Sequence, residues 1–222
     1  MTTHTFQIRA DQLSKIVGSV LPMASKDRTL GVLSGVLLRR QDNYLTATAT
    51  DRYVIGICRD SIDPNLTAPS QQWRCVIDLA AAKDLLTTAK REQNRVIVVE
   101  QNDDRIDFVS IGRAYQEIEG PVDGKNVYPE VGRLVSSLDG VTASLTGPFG
   151  LDIERVAQFL PAQKIAHKAD RAFPRMWGSD AKAGGAQIVI RIGEDFIGTV
   201  MGMRLPGDAA HEASITDWEG ML

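Results

Sequence analysis

The stretch FQIRADQLSKIVGSVLP, residues 6–22, sets a pattern that predicts the fold. Its first four residues indicate a short strand, and Asp11 is expected to act as the N-cap of a helix that Pro22 helps to end. Apolar residues recur at helical spacing along this helix, at Leu13, Ile16, Val17, Val20 and Leu21. A strand followed directly by an amphipathic helix must bury the apolar helix face against a sheet.

The same order of elements occurs two more times, in units of about 70 residues. In the second unit a strand at 74–77 precedes an Asp78 cap and a helix with Leu79, Ala82, Leu85, Leu86 and Ala89 on one face. In the third unit a strand at 142–146 precedes a helix with Ile153, Val156, Ala157 and Leu160 on one face. An internal repeat of this kind predicts three copies of one structural unit.

Each predicted helix is followed by strands that polar turns connect. These strands are expected at 32–40 and 44–59, at 95–100, 105–110 and 114–119, and at 187–192 and 196–203. Their partial alternation predicts an α+β fold of three βαβββ-like units, with sheets outside and helices on one face. We expect a two-unit domain at 1–132, a third unit or half domain at 133–206, and a polar tail at 207–222.

Composition excludes several classes of function. The chain has three histidines, none beside a nucleophile motif, and two cysteines, Cys58 and Cys75, neither at metal-ligand spacing. We therefore expect no catalytic residues, no metal and no cofactor. The sequence carries no signal peptide and no long apolar run, so a reduced cytoplasmic protein without a membrane span is expected.

Charge is distributed unevenly between the predicted helices and the rest of the chain. The net charge is −3, but spans 11–28, 78–95 and 152–175 carry +1, +1 and +2, or +4 together, which leaves −7 elsewhere. A mildly positive helical face suits sequence-independent contact with DNA phosphates. The residues expected to make such contacts are Lys15, Lys26, Arg28, Lys83, Lys90, Arg91, Arg155, Lys164 and Lys168. The alternative is that these are ordinary solvated helix surfaces.

Four segments resemble one known family. TLGVLSGVLL at 29–38 and LTATATDRY at 45–53 resemble the TLPILSGVLL and LTLTATD/TDRYRLA patterns of the bacterial DNA polymerase III β sliding clamp. VDGKNVYP at 122–129 is similar to its VDGKFPDY-type loop, and FIGTVMGMRL at 196–205 is similar to its closing MPMRL strand. The resemblance covers about residues 4–206 in order.

The resemblance implies a processivity factor that encircles double-stranded DNA as a ring with helices inside. It also implies homo-oligomers that bind short peptides of DNA polymerase and of the clamp loader in an apolar pocket. By matching residues, the pocket would contain Thr50, Arg52, Tyr53, Ile55, Val200, Met201, Met203 and Arg204. The alternative for Ile55, Met201 and Met203 is that they are core residues.

The chain departs from the family pattern in its motifs and in its number of units. Gly31, Val54 and Gly202 stand where the family patterns have Pro, Arg and Pro. Three units cannot divide into whole two-unit domains, so either a half domain is completed across a subunit contact or no standard ring closes. The rival hypothesis for function is a clamp-fold adaptor that binds replication or transcription partners without encircling DNA.

Overall fold

The computed structural model describes residues 4–63, 72–102, 105–116, 127–131, 150–169, 173–179 and 187–202. Its helices are α1 (Ala10–Val20), α2 (Leu79–Arg91), α3 (Ile153–Ala157) and α4 (Leu160–Ala169). The strands of the first unit are β1 (His4–Arg9), β2 (Gly35–Gln41), β3 (Tyr44–Thr50) and β4 (Val54–Ser61). Those of the second are β5 (Trp73–Asp78), β6 (Val96–Asn102), β7 (Arg105–Phe108) and β8 (Arg113–Gln116). Those of the third are β9 (Pro174–Ser179), β10 (Gln187–Ile192) and β11 (Phe196–Met201).

The first two units exchange their first strands. Strand β1 of the first unit pairs antiparallel with β6 of the second, and β5 of the second pairs antiparallel with β2 of the first. This exchange gives one sheet in the order β1-β6-β7-β8 and places β5 at the end of the other. Each of the two sheets therefore contains strands of both units.

The third unit joins the first through their last strands. Strand β11 pairs antiparallel with β4, from Val54 opposite Val200 to Cys58 opposite Phe196. This pairing produces a continuous seven-stranded sheet in the order β5-β2-β3-β4-β11-β10-β9. The spatial order of the units is thus second, first, third.

Two glycines face each other at the centre of this junction, because Gly56 lies opposite Gly198. A Cβ atom on Gly198 would lie 2.5 Å from the backbone oxygen of Ile55 and 2.5 Å from the ring of Phe159. Both neighbours are fixed, one by the backbone and the other by burial in the main core. Only glycine, which has no Cβ atom, lets the two strands and the Phe159 ring approach this closely.

The helices pack side by side, with α1 in contact with both α2 and α4. Gly18 of α1 lies between them, and a Cβ atom there would be 3.2 Å from Ile165 and 3.3 Å from Leu86. The apolar faces predicted for the first two helices are confirmed: Leu13, Ile16, Val17, Val20, Ala82, Leu85 and Ala89 are buried. The predicted α+β fold, with helices on one side of the sheets, is confirmed.

The predicted caps have mixed outcomes. Asp78 caps α2 as predicted, by accepting a hydrogen bond from the amide of Ala81 at 2.6 Å. In the third unit, Asp152, which also lies at a helix start in the sequence, caps α3 by accepting a hydrogen bond from the amide of Glu154 at 2.9 Å. The prediction for Asp11 is wrong, because α1 begins at Ala10 and Asp11 lies within its first turn. There the Asp11 carboxylate pairs with the guanidinium of Arg9 at 2.6 Å.

Several predicted boundaries also differ from the structure. The strand expected at 32–40 begins at Gly35, because residues 28–34 form 3-10 turns, and the run at 44–59 divides into two strands around Asp51. The predicted third helix divides into α3 and α4 near Phe159. The ring of Phe159 is buried, whereas Ile153 and Leu160, which were expected on the buried helix face, are exposed. Strand β9 was missed, because its residues carry little alternation. The strand expected at 142–146 and the tail at 207–222 lie outside the described residues.

We expect Gly198→Ala to lower the free energy of unfolding by about 1 to 3 kcal/mol, because the added methyl overpacks a fixed backbone and a buried ring. Urea unfolding followed by circular dichroism measures this change. Gly56→Ala is the matched control, since the nearest neighbour of its Cβ would be the thioether of Met23, an unbranched side chain, and not backbone. An equal loss for both variants would contradict the proposed importance of the Gly198 contact.

Candidate nucleic-acid interface and partner groove

Three of the cations predicted to contact DNA lie together. Lys26 and Arg28, between α1 and β2, and Lys83 of α2 line one groove of about 440 Å³. All three side chains are exposed, and within the described ranges no carboxylate lies within ion-pair distance of them. The arrangement concentrates positive charge on the helical side of the sheets.

Gly31 shapes the loop that carries Lys26 and Arg28. Its φ is 55°, in a region that proline cannot adopt because its ring fixes φ near −65°. The Gly31 departure from the family pattern therefore has a physical consequence: this loop takes a conformation in which proline would not fit. Gly31 itself lines the same groove.

Further cations lie along the helices. Lys90 of α2 is seven residues after Lys83, which places the two on the same helix face two turns apart. Lys164 of α4 is exposed. Arg91 pairs with Glu92 at 3.3 Å, so its charge is partly engaged. The side chain of Lys168 lies outside what the structure describes.

Most acids of this region are held by neighbours. Asp84 pairs with Arg113 at 3.0 Å and accepts a hydrogen bond from Tyr115, which leaves it facing the sheet side. Glu92 pairs with Arg95 at 3.0 Å. The hydroxyl and amide of Thr29 donate to Asp27, and these hydrogen bonds lower the pKa of that carboxyl. Asp78 lines the first groove itself, and its carboxylate accepts a hydrogen bond from the amide of Ala81.

Lys15 differs from the other predicted cations. Its ammonium lies 2.7 Å from Asp195 and 3.1 Å from Asp60. Burial lowers the pKa of Lys15, but these two carboxylates raise it by more, so the group stays charged. A cation shared by two carboxylates has little charge to offer a phosphate, and we leave Lys15 out of the proposed DNA surface.

The segment predicted to bind partner peptides forms a tight turn. The Asp51 carboxylate accepts hydrogen bonds from the amides of Tyr53 at 2.9 Å and Val54 at 2.8 Å, and Arg52 adopts a φ of 84°. The turn lies beside the end of β11, because the amide of Met201 donates to the carbonyl of Tyr53 at 2.9 Å. The two matched segments are therefore in direct contact.

Two apolar side chains of this pair of segments are exposed, those of Tyr53 and Met201. The guanidinium of Arg155 stacks on the Tyr53 ring at 3.9 Å and pairs with Asp152 at 3.3 Å. Arg52, Tyr53 and Arg155 line a groove of about 410 Å³. This contact engages Arg155, which the sequence predicted as a DNA contact, at the partner groove.

The remaining pocket predictions divide into two groups. Thr50, Ile55 and Val200 are buried: Val200 lies in the main core, Ile55 packs with Val131 in a separate cluster, and none of the three lines the groove. Met203 and Arg204 lie outside the described residues. Sequence reasoning missed Asp51 and Gln158, which hold and line the groove; the available signal was an Asp directly after a predicted strand, a residue type that favours turns.

The described residues bear on metal binding and on membrane insertion. Within them, no three His, Cys, Asp or Glu side chains gather as metal ligands would. Among the helices described, none is long and apolar enough to cross a membrane. Burial raises the pKa of the Cys58 thiol to about 12, so this cysteine is a neutral core residue at ordinary pH.

Comparison with known proteins gives a result only at the level of structure. No protein-family model matches the chain, and no curated protein matches it. Solved structures do match. The chain is 13% identical to the DNA polymerase III beta subunit of Thermotoga maritima, with a TM-score of 0.59 over 91% of this chain and 66% of that one.

Two further matches agree. The DNA polymerase sliding clamp of Bacillus subtilis is 12% identical, with a TM-score of 0.56 over 91% of this chain and 65% of that one. The DNA polymerase III subunit beta of Pseudomonas aeruginosa is 12% identical, with a TM-score of 0.58 over 90% and 66%. The chain thus spans slightly less than two thirds of these clamps. It has the fold of the bacterial DNA polymerase III β sliding clamps.

Proposed function

We propose that the protein is a non-enzymatic sliding clamp, a processivity factor that tethers a replicative DNA polymerase to duplex DNA as part of a homo-oligomer. The observation that carries the proposal is the groove where Lys26, Arg28 and Lys83 gather on the helical side without a carboxylate partner among the described residues. The helices there are joined to a continuous outer sheet, so they present one surface. Phosphates are the ligands that such a surface attracts, without regard to base sequence.

The same charges bear on the rival hypothesis of an adaptor that does not encircle DNA. An adaptor needs a helical surface that is acidic or apolar, whereas Lys83, Lys90 and Lys164 are exposed cations on α2 and α4. A few separated cations attract DNA without fixing one position on it. That balance favours sliding over a static contact.

The partner site of the proposed clamp is the groove at the Asp51 turn. Tyr53 lines this groove together with Arg52 and Arg155, which supply charge, and Met201 adds exposed apolar surface beside the turn. An apolar peptide anchor buried there gains about 1.5 to 3 kcal/mol. We propose that short peptides of the polymerase and of the clamp loader bind at this groove.

Topological tethering predicts a difference between circular and linear DNA. After incubation with a large nicked circle, the protein should co-elute with the DNA in gel filtration. It should be released when one restriction cut linearises the circle, because a ring slides off a free end. Equal retention before and after the cut would exclude an encircling clamp.

We expect the triple variant Lys26→Gln, Arg28→Gln, Lys83→Gln to flatten the salt dependence of DNA association. Each lost phosphate contact reduces the slope of log K against log salt by about 0.9. Fluorescence anisotropy with a labelled duplex, measured over a series of salt concentrations, gives this slope.

Lys15→Met is the matched control for that experiment. It removes one cation from the same helical layer, but one that Asp60 and Asp195 hold. The slope should stay unchanged while the free energy of unfolding falls by about 0.5 to 1 kcal/mol. A slope that falls as much per charge for Lys15→Met as for the triple variant would contradict the assignment of the groove.

At the partner groove, Met201→Ala and Tyr53→Ala should each weaken binding of a labelled peptide with Leu and Phe anchors by about tenfold, or 1.4 kcal/mol. Each substitution removes apolar contact area from an exposed site, so unfolding should change little. Val109→Ala is the control, since Val109 is an exposed apolar residue of the other sheet region. Unchanged peptide binding in both groove variants would refute the site.

A further inference from the structure

The outer face of the seven-stranded sheet carries a row of arginines. The arginine row consists of Arg74 of β5, Arg39 of β2, Arg59 of β4, Arg191 of β10 and Arg175 of β9. Arg74 lies opposite Arg39. Thr46 of β3 connects them to the next arginine, because it lies opposite Arg39 on one side and Arg59 on the other. Leu38, which precedes Arg39, belongs to the main core under the helices, so Arg39 and its cross-strand neighbours point away from the helices.

The row continues across the junction of the first and third units. Ile57, two residues before Arg59 on β4, lies opposite Ile197 of β11. Ile197 lies opposite Arg191, and Arg191 lies opposite Arg175. Neighbouring strands are about 4.8 Å apart, so a row over seven strands is about 29 Å long. The arginine row therefore crosses the whole sheet.

Two cross-strand pairs within the row bring like charges together. Arg39 lies directly opposite Arg74 at one end of the row, and Arg175 lies directly opposite Arg191 at the other end. Like charges in directly opposite positions destabilise a sheet. Glu130 lies 3.7 Å from Arg74 and offsets part of the first repulsion. Arg39, Arg175 and Arg191 are exposed, and no carboxylate among the described residues pairs with them. An anion between the opposed guanidinium groups removes the repulsion.

The acids closest to the rest of the row lie in the turn between β10 and β11. Asp195 is 3.9 Å from Arg59, but it is 2.7 Å from Lys15, which shares its charge. Glu194 is exposed and lines, together with Arg175, a groove of about 620 Å³ at this end of the sheet. Five arginines thus stand against few carboxylates, and the row keeps an excess of positive charge.

The outer face of the other sheet treats its cations differently. Arg105 of β7 pairs with Asp107, two residues later on the same strand and therefore on the same face, at 2.9 Å. Arg9 at the end of β1 pairs with Asp11 at 2.6 Å. The excess of positive charge is thus a property of the seven-stranded sheet and not of both outer faces.

Two aromatic rings lie beside the arginine row on the same face. Tyr44 is two residues before Thr46 on β3 and is 42% exposed, and the Arg59 guanidinium lies over its ring, 5.1 Å from the centroid. Trp177 is two residues after Arg175 on β9 and is half-buried. Arginine pairs bidentately with phosphates. Unpaired bases stack on aromatic rings and on guanidinium planes. The row and its two rings therefore offer both kinds of contact that a single strand of nucleic acid uses.

We propose that the arginine row binds single-stranded nucleic acid, with phosphates between the opposed arginines and bases against Tyr44 and Trp177. A duplex fits this face less well, because its bases are stacked on each other and cannot stack on the rings. An acidic peptide pairs with the arginines but has no bases to stack on the rings. The row lies on the opposite side of the sheet from the helices, so this site is separate from the proposed contact with duplex DNA.

Fluorescence anisotropy of the full chain with a labelled oligothymidylate, over a series of salt concentrations, tests the proposal. The triple variant Arg39→Gln, Arg175→Gln, Arg191→Gln should reduce the slope of log K against log salt by about 0.7 for each lost phosphate contact. Urea unfolding should show no loss of stability in this variant, because the substitutions remove charges that repel each other. Lys26→Gln, Arg28→Gln, Lys83→Gln is the matched control, and it should leave the slope for the single strand unchanged.

Tyr44→Leu separates stacking from charge. It should weaken the binding of oligothymidylate without changing the salt slope, because a stacking contact releases no counterions. A labelled polyglutamate of the same net charge represents the acidic peptide, and it should bind more weakly than oligothymidylate.

Three results would overturn the proposal. One is that oligothymidylate does not bind at low salt. Another is that the two triple variants lose the same salt slope, which would place the single strand on the helical side. The third is that polyglutamate binds as tightly as oligothymidylate, depends on the same arginines and is equally indifferent to Tyr44→Leu, which would make the row a site for acidic protein segments.

Discussion

The rest of the structure depends on the pairing of β4 with β11. The ladder runs from the Tyr53 carbonyl and the Met201 amide at one end to the Arg59 amide and the Asp195 carbonyl at the other, each bond 2.9 Å long. It joins two units that lie far apart in sequence into one sheet. Without it, the Asp51 turn and the end of β11 would not meet, and α4 would not pack on α1. The partner groove and the shared helical layer both follow from this ladder.

The same junction explains how charge is sorted between the two sides. Lys15 of α1 reaches the hairpin turn before β11 and binds Asp195 there, together with Asp60 of β4. That ion pair uses a helical cation to hold the third unit against the first. Among the described residues, Lys26, Arg28 and Lys83 form no ion pair with the strands of this junction. Structural and proposed functional cations thus differ in whether carboxylates hold them, although the sequence places all of them in the helical spans.

Much of the fold could be predicted from the sequence, because the first two units follow their local rules. Helical spacing identified the buried faces of α1 and α2, and the cap at Asp78 marked the start of α2. The third unit does not follow the same local rules. Phe159 interrupts its helix, and the Phe159 ring packs in the core between Gly198 and Phe196. The position of the Phe159 ring depends on the pairing of β11 with β4 of the first unit, which the local spacing of apolar residues cannot reveal. The exchange of first strands, and the spatial order of the units, were equally hidden for this reason. At the candidate sites, sequence grouped the cations but could not show that Lys15 and Arg155 already have partners.

Hydrogen exchange at the junction tests the account most directly. If β4 and β11 form one ladder, their interior amides should exchange together, at the slow rate of the core strands β2 and β3, because they open only with the whole sheet. Gly198→Ala should accelerate both strands alike. Fast exchange of β11 beside slow exchange of β4 in the wild-type protein would contradict the account, since the third unit would then not be part of the same sheet.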